Sequence, residues 1–247
     1  MKKILILIII ALTVLTGCNK SGPVEPGAGI TDYYLVDNCE DANDKNFLNG
    51  KWYTNYDTFG DTIMYPRMVD IFYMSQYGSP ETPKYCARVT GYLGPQAGTR
   101  PDGKSDDGYY AFGGMVMNLA PVTNYKPVNA SNFTGVRFYL KFGDVITKAG
   151  APLRKEMKFL LRRVRTDDVT GAEFEYTITS APLAQAGEWE LIQIPFSSIT
   201  QPSWVASGPK GRTPTPYNDL LALYFYPNTE VKGQNFDIMV DDIGFYK

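Results

Sequence analysis

The sequence predicts an all-β chain, a single β-sandwich of antiparallel sheets. Three observations predict it. Apolar residues recur with period two and not at the spacing of an amphipathic helix. The alternating segments are punctuated by stretches rich in Gly, Pro and Asn. Aromatic residues, which suit strands, are abundant, with 18 Tyr, 13 Phe and 3 Trp.

Each strand follows from its own alternation. In VRFYLKF at 136–142, Val136, Phe138, Leu140 and Phe142 alternate with Arg137, Tyr139 and Lys141. KFLLRRVR at 158–165 carries the next strand, with Arg162 in it. In EFEYTIT at 173–179, Phe174, Tyr176 and Ile178 alternate with Glu and Thr. ELIQIPF at 190–196 continues the pattern through Ile192, Ile194 and Phe196. LLALYFY at 220–226 sets Leu221, Leu223 and Phe225 on one face and Ala222, Tyr224 and Tyr226 on the other. FDIMVDDIGFY at 236–246 is the closing strand. No stretch has the pattern of a long helix.

The N-terminus reads as an export signal. Lys2 and Lys3 precede an apolar run from Ile4 to about Leu15, too short to span a bilayer, which needs about 20 apolar residues. The run ends in Leu15-Thr16-Gly17-Cys18, which resembles the bacterial lipobox. That resemblance implies cleavage before Cys18, acylation of Cys18 and anchoring to a lipid bilayer by acyl chains. The expected organisation is a signal peptide over 1–17, a lipidated Pro/Gly/Ser-rich tether over 18–29 and one domain over 30–247. The expected location is outside the cytoplasm, on the outer membrane or cell surface in preference to the inner membrane.

Composition narrows the chemistry. Loss of Lys2 and Lys3 takes the formal charge from −2 to −4, which argues against a nucleic-acid partner. The chain has no histidine, so Ser-His-Asp and Cys-His nucleophiles and imidazole-built zinc sites are excluded. Carboxylate chemistry and calcium, which prefers oxygen ligands, stay open. Cys39 and Cys86 are open to two readings, a disulfide permitted by an oxidising compartment or two small buried thiols.

Four blocks resemble the galactose-binding-like jelly rolls, and among them the family-eleven carbohydrate-binding modules: LVDNCED at 35–41, NFTGVRFYLKF at 132–142, GEWELIQIPFSSI at 187–199 and NFDIMVDDIGFY at 235–246. They frame nearly the whole domain. In the first block Cys39 replaces the family's aromatic, and insertions near 61–84 and 94–108 depart from the compact modules. The resemblance implies a structural calcium held by Glu40 and Asp241, and a structural tryptophan at Trp189.

It also implies a polysaccharide or oligosaccharide ligand. Sugar sites combine aromatic platforms with side chains that bond hydroxyls in pairs. The strand pattern offers Arg137, Tyr139, Arg162, Tyr224 and Tyr226. Tyr226 falls where the relatives carry a ligand-contacting tyrosine, and Tyr109 and Tyr110 lie near their Gly-Tyr-Trp segment. Trp52, Tyr53 and Trp204 are expected to wall the groove from loops. The same tyrosines and arginines are also ordinary strand residues. Catalysis is not expected: Glu173 and Glu175 stand side by side on one strand instead of flanking a substrate bond. The alternative function is a structural envelope lipoprotein that holds a protein partner on the same jelly roll.

Overall fold

In the computed structural model, residues 32–56, 62–66, 72–94, 111–121, 127–164, 173–202, 217–228 and 233–247 are described. The strands are β1 (Tyr33–Asp37), β2 (Trp52–Tyr56), β3 (Ile63–Tyr65), β4 (Ala87–Leu93), β5 (Gly113–Asn118), β6 (Gly135–Phe142), β7 (Met157–Arg163), β8 (Glu173–Ile178), β9 (Glu190–Pro195), β10 (Leu220–Pro227) and β11 (Gln234–Tyr246). One four-residue helix, α1 (Pro182–Gln185), joins β8 to β9.

Two antiparallel sheets result. One has the order β3-β4-β11-β6-β9, with β1 also on β11; the other has the order β2-β5-β10-β7-β8. This is the sandwich expected from the alternation, in the jelly-roll form that the resemblance implies. β11 organises the first sheet. β6 pairs along one side of it, while β4 and then β1 share the other side end to end. β4 covers β11 as far as Val240, and β1 takes over at Ile243.

The core lies between the sheets and is built by the period-two pattern. Val136, Phe138, Leu140 and Phe142 of β6 face Phe159 and Leu161 of β7 and Leu223 and Phe225 of β10. Phe138 stacks on Phe159 at 5.7 Å and meets the edge of Phe225 at 5.2 Å. Such pairs add to the burial of large apolar area.

Trp52 belongs to this core, contrary to its expected place in a groove wall. It opens β2, is 1% exposed, and stacks between Phe72 and Phe225 at 5.7 and 5.8 Å. Its indole Nε1 donates to Asp37 Oδ2 at 2.6 Å. A tryptophan within an inward-facing strand position buries its rings, and its one donor then needs a buried acceptor. Asp37 supplies it.

Cys39 and Cys86 are buried and unbridged. Cys39 joins the interior cluster with Ala87. Cys86 precedes Ala87, so alternation turns its side chain to the other face of the strand. Burial pushes both thiols up, Cys86 to about 12.

Candidate functional site

The outer face of the five-stranded sheet carries a second apolar cluster, distinct from the interior. It contains Val116, Leu160, Ala222, Tyr224 and Tyr226, with Tyr53 and Phe112 packed against it. Register explains the grouping. Leu223 and Phe225 of β10 point inward, so Ala222, Tyr224 and Tyr226 point outward. Tyr53, Val116, Tyr224, Leu160 and Glu175 form one row across all five strands. Asn55, Tyr226, Lys158 and Thr177 lie in the next row, with Gly114 between Asn55 and Tyr226. Five strands span about 19 Å at the usual interstrand spacing.

Polar groups hold the rings in place. Asn55 Nδ2 donates to the Tyr226 hydroxyl at 2.8 Å. Arg162 Nη1 donates to the Tyr224 hydroxyl at 2.9 Å. The Tyr53 and Tyr224 hydroxyls bond to one another. The two β10 rings meet edge to face at 5.5 Å. Lys158 Nζ lies 3.3 Å from Glu175, and Arg162 Nε lies 3.9 Å from Glu173. The Arg162 side chain remains 41% exposed.

Burial pushes the Tyr53 phenol up to about 12 and raises those of Tyr224 and Tyr226. All three therefore stay neutral and keep O–H groups that can donate. Gly114 makes room for Tyr226: a Cβ there would sit 2.2 Å from Tyr226 Cδ1. The face thus combines fixed aromatic rings, neutral hydroxyls and matched charges.

The sandwich has counterparts among known structures. The chain is similar to the family 11 carbohydrate-binding module of the cellulosomal cellulase Lic26A-Cel5E of Clostridium thermocellum. That match has TM-score 0.51 and 15% identity, and covers 88% of this chain and 96% of the module. The fold is that of the family 11 carbohydrate-binding modules. A family 11 module of the same organism, in complex with a β-1,3-1,4-mixed-linked tetrasaccharide, matches with TM-score 0.46 and 15% identity, over 79% of this chain and 88% of that one. No protein-family description matches the sequence, and no curated protein matches it.

The structure divides the residues that the sequence grouped together. Tyr224, Tyr226 and Arg162 share the face just described. Arg137 and Tyr139 do not: they project from β6 on the outer face of the other sheet. There Arg137 packs over the Tyr33 ring at 3.9 Å, and the Tyr139 hydroxyl donates to Glu81 Oε1 at 2.9 Å. Alternation along one strand sets in or out, but not which sheet the strand joins. That is why the sequence merged two opposite faces. Tyr109, Tyr110 and Trp204 lie outside the described residues, as does Cys18.

Tyr53 takes the place expected of Trp52, but from within β2 instead of a loop. Asn55, Lys158, Glu173 and Glu175 complete the face. The signal for Lys158 and Glu175 was their outward position in strands already recognised.

The expected calcium ligands are each engaged by hydrogen-bond donors. Glu40 Oε1 accepts backbone N–H groups of Lys84 and Tyr85 at 2.9 and 3.1 Å. Asp241 Oδ2 accepts the N–H of Ser79 at 2.8 Å and the Thr82 hydroxyl at 3.1 Å, while its Oδ1 accepts the N–H of Asp242 at 2.8 Å. N–H donors cannot ligate a cation, and they point at the oxygens that would. Among the described residues no three Cys, Asp or Glu side chains form a metal-binding group. The arrangement does not fit a calcium shell built on Glu40 and Asp241.

Proposed function

We propose that the chain is a membrane-anchored, non-catalytic carbohydrate-binding lipoprotein. In this reading Cys18 carries the acyl chains, residues 19–29 are the tether, and the domain stands outside the cytoplasm on the outer membrane or cell surface. The ligand is a polysaccharide or oligosaccharide held on the outer face of β2-β5-β10-β7-β8. The observation that carries the reading is the tyrosine row with polar partners, Tyr53, Tyr224 and Tyr226 with Arg162 and Asn55. It lies on a fold shared with carbohydrate-binding modules. Tyr224 and Tyr226 are themselves buried, at 5% and 7% exposure, so the sugar contacts fall to the half-buried Tyr53 and the 41% exposed Arg162, where pyranose C–H groups meet a ring and hydroxyls exchange bonds with phenol and guanidinium groups.

Glu173 and Glu175 share this face, but each is set beside a cation, Arg162 or Lys158. That pairing supports binding over hydrolysis, which needs two carboxyl groups on either side of the scissile bond.

The test is a glycan array with the full chain in mild detergent, followed by titration calorimetry on the hits. Hits sharing one backbone linkage are expected. Arg162→Ala and Tyr53→Ala are each expected to weaken binding about tenfold, the equivalent of about 1.4 kcal/mol. Arg137→Ala, on the opposite sheet, serves as the unaffected control. A blank array from folded protein, or reducing-sugar release, rejects the proposal. A blank array favours the protein-partner reading, which draws on exposed Tyr65, Tyr73 and Tyr77.

A further inference from the structure

The change of partner along β11 leaves a notch. β4 ends its pairing at Val240 and β1 begins at Ile243, so Asp241 and Asp242 face no strand on that side. Asp242 has a left-handed backbone, φ 47°. Two adjacent carboxylates there, both largely withdrawn from water, need partners.

The segment from Ser79 to Tyr85 crosses this notch and supplies them. The Ser79 N–H goes to Asp241 Oδ2 at 2.8 Å and the Ser79 hydroxyl to Asp242 Oδ2 at 2.6 Å. The Thr82 hydroxyl lies 3.1 Å from Asp241 Oδ2 and 2.9 Å from Asp242 Oδ2. At the far end the N–H groups of Lys84 and Tyr85 cap Glu40, just beyond β1. In between, Glu81 turns outward to Arg137 and Tyr139 of β6. One short segment therefore ties the end of β1 to β6 and β11.

We infer that the Ser79–Tyr85 segment is a built-in brace that does the work of the structural cation. The domain then holds the β1–β4 notch without calcium. The brace and a bound ion are alternatives, because both need the same oxygens of Glu40 and Asp241. Two hydroxyls and an N–H give the buried oxygens of Asp241 and Asp242 the partners they need.

Scanning calorimetry of the full chain in detergent tests this, with millimolar calcium chloride and with chelator. The melting temperature is expected to be the same in both. Ser79→Ala combined with Thr82→Val is expected to lower it by roughly 5–10 °C. Should the double variant fail to fold, Thr82→Val alone keeps the shape, and a drop of a few degrees is expected from it. A rise in calcium for the unaltered chain overturns the inference. So does a double or single variant that melts where the unaltered chain does. Glycan binding is a separate readout, so its failure leaves this inference standing.

Discussion

Replacing Trp52 with Phe separates a core residue from a ligand wall. The indole lies between Phe72 and Phe225, and its Nε1 holds Asp37 Oδ2 at 2.6 Å. Phe keeps one ring but removes the second ring and the donor. The lost buried area and the space left behind cost about 2 kcal/mol. Leaving a buried carboxylate oxygen without its donor costs about another 2–3 kcal/mol.

The second part depends on pH. Burial raises the Asp37 carboxyl from 3.8 to about 7, against the lowering pull of the Trp52 and Cys39 N–H bonds. A raised folded value means that the native state binds the proton more tightly. Stability therefore falls as pH rises from near 4 through about 7. Without the indole donor the carboxyl rises further, so the variant loses more at pH 8 than at pH 5. The expected fall in melting temperature is roughly 10 °C at pH 8 and about half that at pH 5. Calorimetry at the two pH values measures it. Glycan affinity, taken well below the transition, is expected to be unchanged. A variant that melts normally but no longer binds glycan refutes the placement of Trp52 in the core.

Three further outcomes are expected. Asp37→Asn removes a titrating group, so its stability changes less between pH 5 and pH 8 than that of the unaltered chain; Asp241, also raised to about 7 by burial, keeps part of the slope. Equal slopes in calorimetric pH scans would contradict this. Gly114→Ala places a Cβ 2.2 Å from Tyr226 Cδ1 and 2.5 Å from the Phe225 carbonyl oxygen; it is expected to destabilise by about 1–3 kcal/mol and to weaken glycan binding by displacing the ring. Denaturant titration and calorimetric binding measure the two effects. Cys18→Ser is expected to move the chain from the membrane pellet to the soluble fraction and to abolish acyl labelling, while glycan affinity of the domain is retained.

Much of the fold was legible because alternation survives in single strands. The boundaries of β6, β8, β9, β10 and β11 follow the alternating runs closely. The opposed faces of β10 were read correctly from Ala222 onward, with Leu223 and Phe225 inward and Tyr224 and Tyr226 outward, but an irregularity between Leu220 and Ala222 puts Leu220 in the core in place of the expected Leu221. What the sequence lacked was pairing. Arg137 and Arg162 are both outward residues of adjacent strands in the chain, yet β6 joins β11 and β9 while β7 joins β10 and β8. That long-range choice sets the two arginines on opposite sides of the molecule. Trp52 was misplaced for a related reason. WYTNY alternates weakly, and only contact with Phe72 and Phe225 shows which of Trp52 and Tyr53 turns inward. The donors that Asp241 meets could not be read from the sequence, because Ser79 and Thr82 stand about 160 residues away, at separations of 162 and 159.

The side-by-side run of β1 and β11 also has a mechanical meaning. Any pull transmitted through residues preceding Asp32 acts first on the bond from the Lys247 N–H to the Asp32 carbonyl, at 2.9 Å, and then on the Tyr33–Tyr246 rung. Antiparallel ladders loaded at one end open rung by rung, like a zip, and resist far less than ladders loaded along their length. Tyr33 is the slider's stop: its hydroxyl donates to the Asp242 carbonyl at 3.0 Å, and the Arg137 guanidinium lies over its ring at 3.9 Å. A load entering from the N-terminal side reaches this clasp before the rest of the sandwich, and the Arg137–Tyr33 contact, remote from the tyrosine row, lies in its path.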